Sequence, residues 1–93
     1  MSKYFDEIEI NVTEFPDTPQ FNFNFRATSV IIYVEGMGVV TWSYSGNDSN
    51  IHGKLSSEQG SISFDGIDID KIYMKTEEGK NPLVRIWAWV KQR

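Results

Sequence analysis

From Phe21 to Arg26 the chain reads Phe-Asn-Phe-Asn-Phe-Arg, a strict two-residue alternation. Successive side chains of a strand point to opposite faces. This segment therefore puts its rings on one side and its two amides and one cation on the other. A helix would scatter the same rings around its circumference. Alternation recurs along the chain, and no helical periodicity competes with it. The feature restricts the chain to β structure with a dry face and a wet face.

Alternation and turn residues together predict seven or eight short strands. They run over Tyr4 to Val12, Phe21 to Arg26, Ser29 to Glu35, Val39 to Ser45, Ile51 to Leu55, Ser61 to Phe64, Lys71 to Thr76, and Leu83 to Lys91. Phe15-Pro16-Asp17-Thr18-Pro19 breaks the chain, because each proline lacks a ladder donor. Glu35-Gly36-Met37-Gly38 reads as a turn that would join its flanking strands in a hairpin. Asp65-Gly66-Ile67-Asp68-Ile69-Asp70 reads as a connection with its isoleucines tucked inward. Short strands at this spacing predict an all-β fold, an antiparallel β-sandwich of jelly-roll or immunoglobulin-like type. Residues 1–93 make a single domain, with 1–20 an acidic N-terminal strand or arm. That arm is expected either to be the first strand of its own sheet or to add to the edge of a neighbour's.

The closing strand is apolar on both faces. Val84, Ile86, Ala88 and Val90 share one parity, an aliphatic stripe suited to the core. Leu83, Arg85, Trp87, Trp89 and Lys91 share the other. Trp42 and Tyr44 share a face of the Val39–Ser45 strand. Trp42, Tyr44, Arg85, Trp87 and Trp89 are thus the candidates for an interface or ligand platform, since aromatic rings and arginine anchor interfaces. Three uses stay open for these rings: internal packing, a protein interface, or a platform that stacks sugar rings.

Composition removes several classes. A chain of 93 residues buries roughly 60–65% of its unfolded surface, enough for one modest core and little room for a deep cleft. There is no cysteine, so no disulfide and no thiolate metal site. No run of residues has the length and apolarity of a membrane span, and the N-terminal segment lacks the apolar core of a signal peptide. No membrane partner is expected. The net charge of −4 argues against nucleic acid. Residues 1–20 are acidic and the segment from Lys71 onward is basic, which would suit head-to-tail contacts between copies or serve solubility alone.

Catalytic groups are sparse. His52 is the one histidine, too few for a zinc site or a nucleophilic triad with an orienting acid, and a structural or surface role is expected. Asp65, Asp68 and Asp70 form an acidic cluster, and they are weak candidates for a hard cation such as calcium. Their spacing is not that of an EF-hand loop. No cofactor and no enzymatic activity are expected.

The segments Phe25-Arg26-Ala27-Thr28-Ser29-Val30, Trp42-Ser43-Tyr44-Ser45-Gly46, Ile51-His52-Gly53-Lys54-Leu55, Ser63-Phe64-Asp65, Lys71-Ile72-Tyr73-Met74-Lys75 and Val84-Arg85-Ile86-Trp87-Ala88-Trp89 run in this order. Over roughly residues 21–90 this order resembles the small β-sandwich virion accessory proteins of tailed bacteriophages, of the head-decoration, head-fibre or tail-accessory kind. The resemblance implies a non-enzymatic structural protein that binds a capsid or tail surface, often as a homo-oligomer. It implies synthesis in the host cytoplasm and a place in the virion. It transfers no catalytic residue. The alternative is a carbohydrate-binding module or receptor-binding tip that uses the same aromatic residues.

Overall fold

A computed structural model describes residues 2–91. They form no helix and six strands: β1 (Lys3–Glu9), β2 (Phe21–Glu35), β3 (Val39–Ser43), β4 (Gly53–Ser56), β5 (Ser61–Lys75) and β6 (Leu83–Trp89). All pairings are antiparallel, within one sheet of order β1-β6-β2-β5-β3-β4. The all-β class expected from alternation is present. The expected architecture of seven or eight strands in a sandwich is replaced by one six-stranded sheet.

The strand count falls because two pairs of predicted strands are each one continuous strand. The Phe21–Arg26 and Ser29–Glu35 segments run on as β2, and Ser61–Phe64 and Lys71–Thr76 are bridged by the supposed Asp65–Asp70 loop as β5. Both long strands carry irregularities where their register shifts, between Asn22 and Ala27 and between Ala27 and Ser29 of β2. Asn24 sits there with φ of +65° and Gly66 with φ of +74°. Bulges insert unpaired residues and bend a strand. They also switch which parity faces the core. In β2 the buried apolar residues are Phe21, Phe23 and Ala27 before the shift and Val30, Ile32 and Val34 after it.

The bend lets one sheet wrap its own core. Val84, Ile86, Ala88, Val30 and Ile32 from the β1-β6-β2 end belong to the same buried cluster as Val40, Trp42, Leu55, Ile72 and Met74 from the β5-β3-β4 end. Trp42 of β3 meets Phe64 of β5 edge-on, with ring centroids 6.0 Å apart. Burial of this apolar set is the main favourable term, at roughly 25 cal/mol per Å² removed from water.

Two local expectations change. The Gly36–Gly38 turn does not close a hairpin, because β2 is already flanked by β5 and β6 on its two sides. It carries the chain to β3 at the other end of the sheet, and both glycines have positive φ. The segment after β1 is anchored on core elements. Ile10 donates to the Pro82 carbonyl at 2.9 Å, Val12 accepts from Thr76 at 2.8 Å, and the Gln20 amide bonds both the carbonyl and the N–H of Met74. The acidic N-terminus is thus the first strand of its own sheet.

Candidate functional site

Register sets out the outer face of the sheet as rows across β1, β6 and β2. Lys3 lies opposite Trp89, which lies opposite Ser29. The next row is Phe5, Trp87, Ile31, and the next is Glu7, Arg85, Tyr33. The aliphatic parity of β6 is core as read: Val84, Ile86 and Ala88 are fully buried. The other parity faces out, and Phe5 and Trp87 are 54% and 38% exposed. Their rings tilt against each other with centroids 5.1 Å apart. Ile31, Trp87 and Trp89, with Lys3, Tyr4 and Ala88, line a groove of about 500 Å³.

Charges flank this apolar strip. Arg85 donates from Nε to Glu7 and from Nη1 to Glu35, at 2.5 and 2.7 Å, and lies over the Tyr33 ring. The hydrogen bonds it donates to Glu7 and then Glu35 hold its proton more firmly than usual. A planar fork that spans two carboxylates suits arginine geometry. At the other end Asp65 accepts from the Ser29 hydroxyl at 2.6 Å and pairs with Lys91 at 3.5 Å. The Ser29 hydrogen bond, then the Lys91 charge, hold the Asp65 carboxyl below the usual range. Of the acidic N-terminal segment, Glu7 is thus paired with Arg85 of the basic C-terminal segment, across the β1–β6 join.

The sequence candidates separate. Arg85, Trp87 and Trp89 share the outer face. Trp42 does not join them: it is 1% exposed, and it fills the space beside Gly53 of β4. The parity argument placed Trp42 on a face, and the bend turned that face inward. Tyr44 lies beyond the end of β3, stacked on His52 with centroids 4.1 Å apart. His52 accepts the Tyr44 N–H through Nδ1 at 3.2 Å, a surface role that ties a loop. Asp68 and Asp70 turn to Arg26, at 2.8 and 3.8 Å, away from Asp65. Among the described residues no three acidic or histidine groups gather to hold a metal.

Ile31, Tyr33, Glu7 and Glu35 also belong to this face without being sequence candidates, and Phe5, which the sequence offers only as an apolar residue of the N-terminal strand or arm, joins them. One signal was present. Phe5 stands in the parity of Glu7 and Glu9, a ring among carboxylates on the wet side of β1.

No family model and no curated protein matches the chain. Among solved structures, it is similar to hydroxypropylphosphonic acid epoxidase from S. wedmorenis in complex with fosfomycin, at 16% identity and a TM-score of 0.47. The match covers 92% of this chain and 41% of the epoxidase chain, and at that TM-score it assigns neither fold nor activity.

Proposed function

We propose that the chain is a non-enzymatic accessory protein of the tailed-phage virion type, attached to a capsid or tail surface as a multimer. It acts as an adhesive module that docks through one face of its sheet. One observation supports the docking role above the others. Phe5, Ile31, Trp87 and Trp89 form an apolar strip on an outer sheet face, with no element of the described chain laid over it. Rings of this kind at the centre of a contact, rimmed by ion pairs, are the usual anchors of a protein interface. The virion setting rests on the order of segments that resembles phage accessory proteins.

The test is binding of purified chain to purified capsids and tails, compared with a Phe5→Ala, Trp87→Ala variant. Loss of at least tenfold in affinity with an unchanged thermal midpoint is expected. Wild-type affinity in the variant overturns the docking face, and no binding to either particle overturns the virion setting.

The groove beside Trp87 and Trp89 favours one second reading, a carbohydrate platform. Against it, Lys3 is the one charged donor in the lining, and sugar sites need several oriented polar groups. Quenching of tryptophan fluorescence by oligosaccharides would support this reading, and a flat response across a glycan panel removes it.

A further inference from the structure

The aromatic strip ends at an open sheet edge. β1 is the outermost strand on its side, and it is seven residues long, against four in β4 at the opposite edge. The phase of its hydrogen bonds is fixed by Ile10, which donates to the carbonyl of Pro82. That bond joins directly opposed residues in the register that also pairs Ile8 with Val84 and Tyr4 with Ala88. In an antiparallel ladder such bonded pairs alternate with unbonded ones. Tyr4, Asp6 and Ile8 therefore bond to β6, and Lys3, Phe5, Glu7 and Glu9 turn their N–H and C=O groups to the open side. The Glu7 N–H bears this out: it is capped by the Asp6 carboxylate at 2.8 Å rather than by a strand.

We propose that β1 pairs with β1 of a second copy of this chain, antiparallel about a two-fold axis, with Phe5 facing Phe5. The inference deepens the docking reading, on which it rests for the aromatic face, by naming a second copy as the first partner. Side chains decide the register. Inward and outward faces must match across the join, which removes every odd offset. With Phe5 on the axis, Lys3 of each copy lies opposite Glu7 of the other, and Tyr4 lies opposite Asp6. The first is an ion pair. The second repeats between copies the bond that Tyr4 already makes to Asp6 within one, at 3.1 Å. The next allowed register, with Asp6 on the axis, sets two carboxylates face to face and leaves Phe5 opposite Glu7. Like charges directly opposed are destabilising, and aromatic pairs are favourable. The chosen register also joins Trp87–Phe5 of one copy to Phe5–Trp87 of the other in one unbroken run of rings.

The pairing adds about six backbone hydrogen bonds, two at each of three opposed pairs. Asp6 must release the Glu7 N–H for two of them, so the association is expected to be concentration-dependent rather than obligate. Such a pair presents a doubled aromatic surface to a particle built by symmetry.

Cysteine scanning tests the register directly, because the chain contains no cysteine. In a bonded antiparallel pair the opposed Cα atoms lie about 5.5 Å apart, within disulfide range. Phe5→Cys is expected to oxidise to a covalent dimer at least tenfold faster than Glu9→Cys, whose copies would stand roughly 26 Å apart along the strands. Light scattering of the wild-type full chain is expected to show dimer growing with concentration, and Lys3→Glu to weaken it at least tenfold at low salt. Equal oxidation of the two cysteine variants, undiminished dimer in Lys3→Glu, or a monomer at every concentration overturns the pairing. A monomer that still docks through Trp87 overturns the pairing alone. A dimer with the predicted cross-link that binds no particle supports the pairing and overturns the virion setting.

Discussion

Trp42 occupies the space that any side chain at Gly53 would need. A Cβ built on Gly53 would stand 2.4 Å from the indole, and the two residues are direct cross-strand partners of β3 and β4. The glycine is required here by close approach rather than by backbone angle. Gly53→Ala is expected to cost about 1–3 kcal/mol through overpacking. In a domain of this size that lowers the thermal midpoint by roughly 4–8 °C per kcal/mol. Trp42 Nε1 is also the one buried side-chain polar atom without a partner among the described residues. Trp42→Phe removes that donor and makes room. The double variant is expected to be more stable than Gly53→Ala alone, which a thermal-melt cycle reads. Strict additivity would show that the two residues do not share the space.

Asn24 carries the bend of β2 with φ of +65°, supported by its N–H bond to the Asn22 side chain at 3.3 Å. Asparagine tolerates this left-handed region better than other residues with a Cβ. Asn24→Ala is expected to cost about 1–2 kcal/mol and Asn24→Gly less than half of that. Denaturant midpoints check the order. Equal losses would mean that the backbone angle is not what the asparagine supplies.

These bends are also where the sequence became hard to read. Period-two alternation gave the class and the inner faces of β6 and the start of β2, because alternation depends only on local geometry. Bulges are a different matter. They shift parity inside a strand, so β2 and β5 each looked like two strands, and Asp65–Asp70 looked like a loop although Ile69 packs in the core as expected. Trp42 shows a related limit: parity assigns it to a face with internal packing still open, and the sheet's curvature decides that this face is enclosed. Trp87 was identified because its strand is apolar on both sides. Phe5 reads from sequence only as an apolar residue of the N-terminal arm; pairing sets it beside Trp87, a contact between residues far apart in the chain.

Tyr4 is expected to titrate late. Burial against Phe23, the nearby Asp6 charge and the bond to Asp6 push its phenol up to about 12. The group is neutral when protonated, and its folded value lies above the ordinary value near 10. Between those values the unfolded chain holds fewer protons, so stability falls as pH rises through this window. Phenolate absorbance should show one of the 4 tyrosines ionising last. Asp6→Asn should move that step part of the way down, since burial, the largest cause, remains. No movement would remove Asp6 from the account.

At the acid end the sign reverses. Asp65 and Asp68 are held below the usual carboxylate range by the Ser29 and Arg26 hydrogen bonds respectively. Their contribution is full above the unfolded value near 4 and is lost as pH falls through the depressed folded values. Ser29→Ala should raise the Asp65 midpoint in a carbon-detected NMR titration and leave that of Asp68 in place. A common shift of both would point to a global change instead.

Arg85 was read from sequence as a contact residue, and its geometry gives it a different first task. It ties the edge strand β1, through Glu7, to β2, through Glu35, across the outer face. Arg85→Gln is expected to lower the thermal midpoint at low salt, and the deficit should shrink as salt screens the exposed pairs. Arg85→Lys should recover little of it, since one ammonium does not span two carboxylates as a fork does. Amide exchange at Tyr4 and Ile8, whose bonds run to β6, should quicken in both variants, because an untethered edge opens first. Particle docking should weaken far less than in Trp87→Ala, since both carboxylates already occupy the guanidinium. A variant with unchanged melting and exchange that loses docking as completely as Trp87→Ala would make Arg85 a contact residue after all.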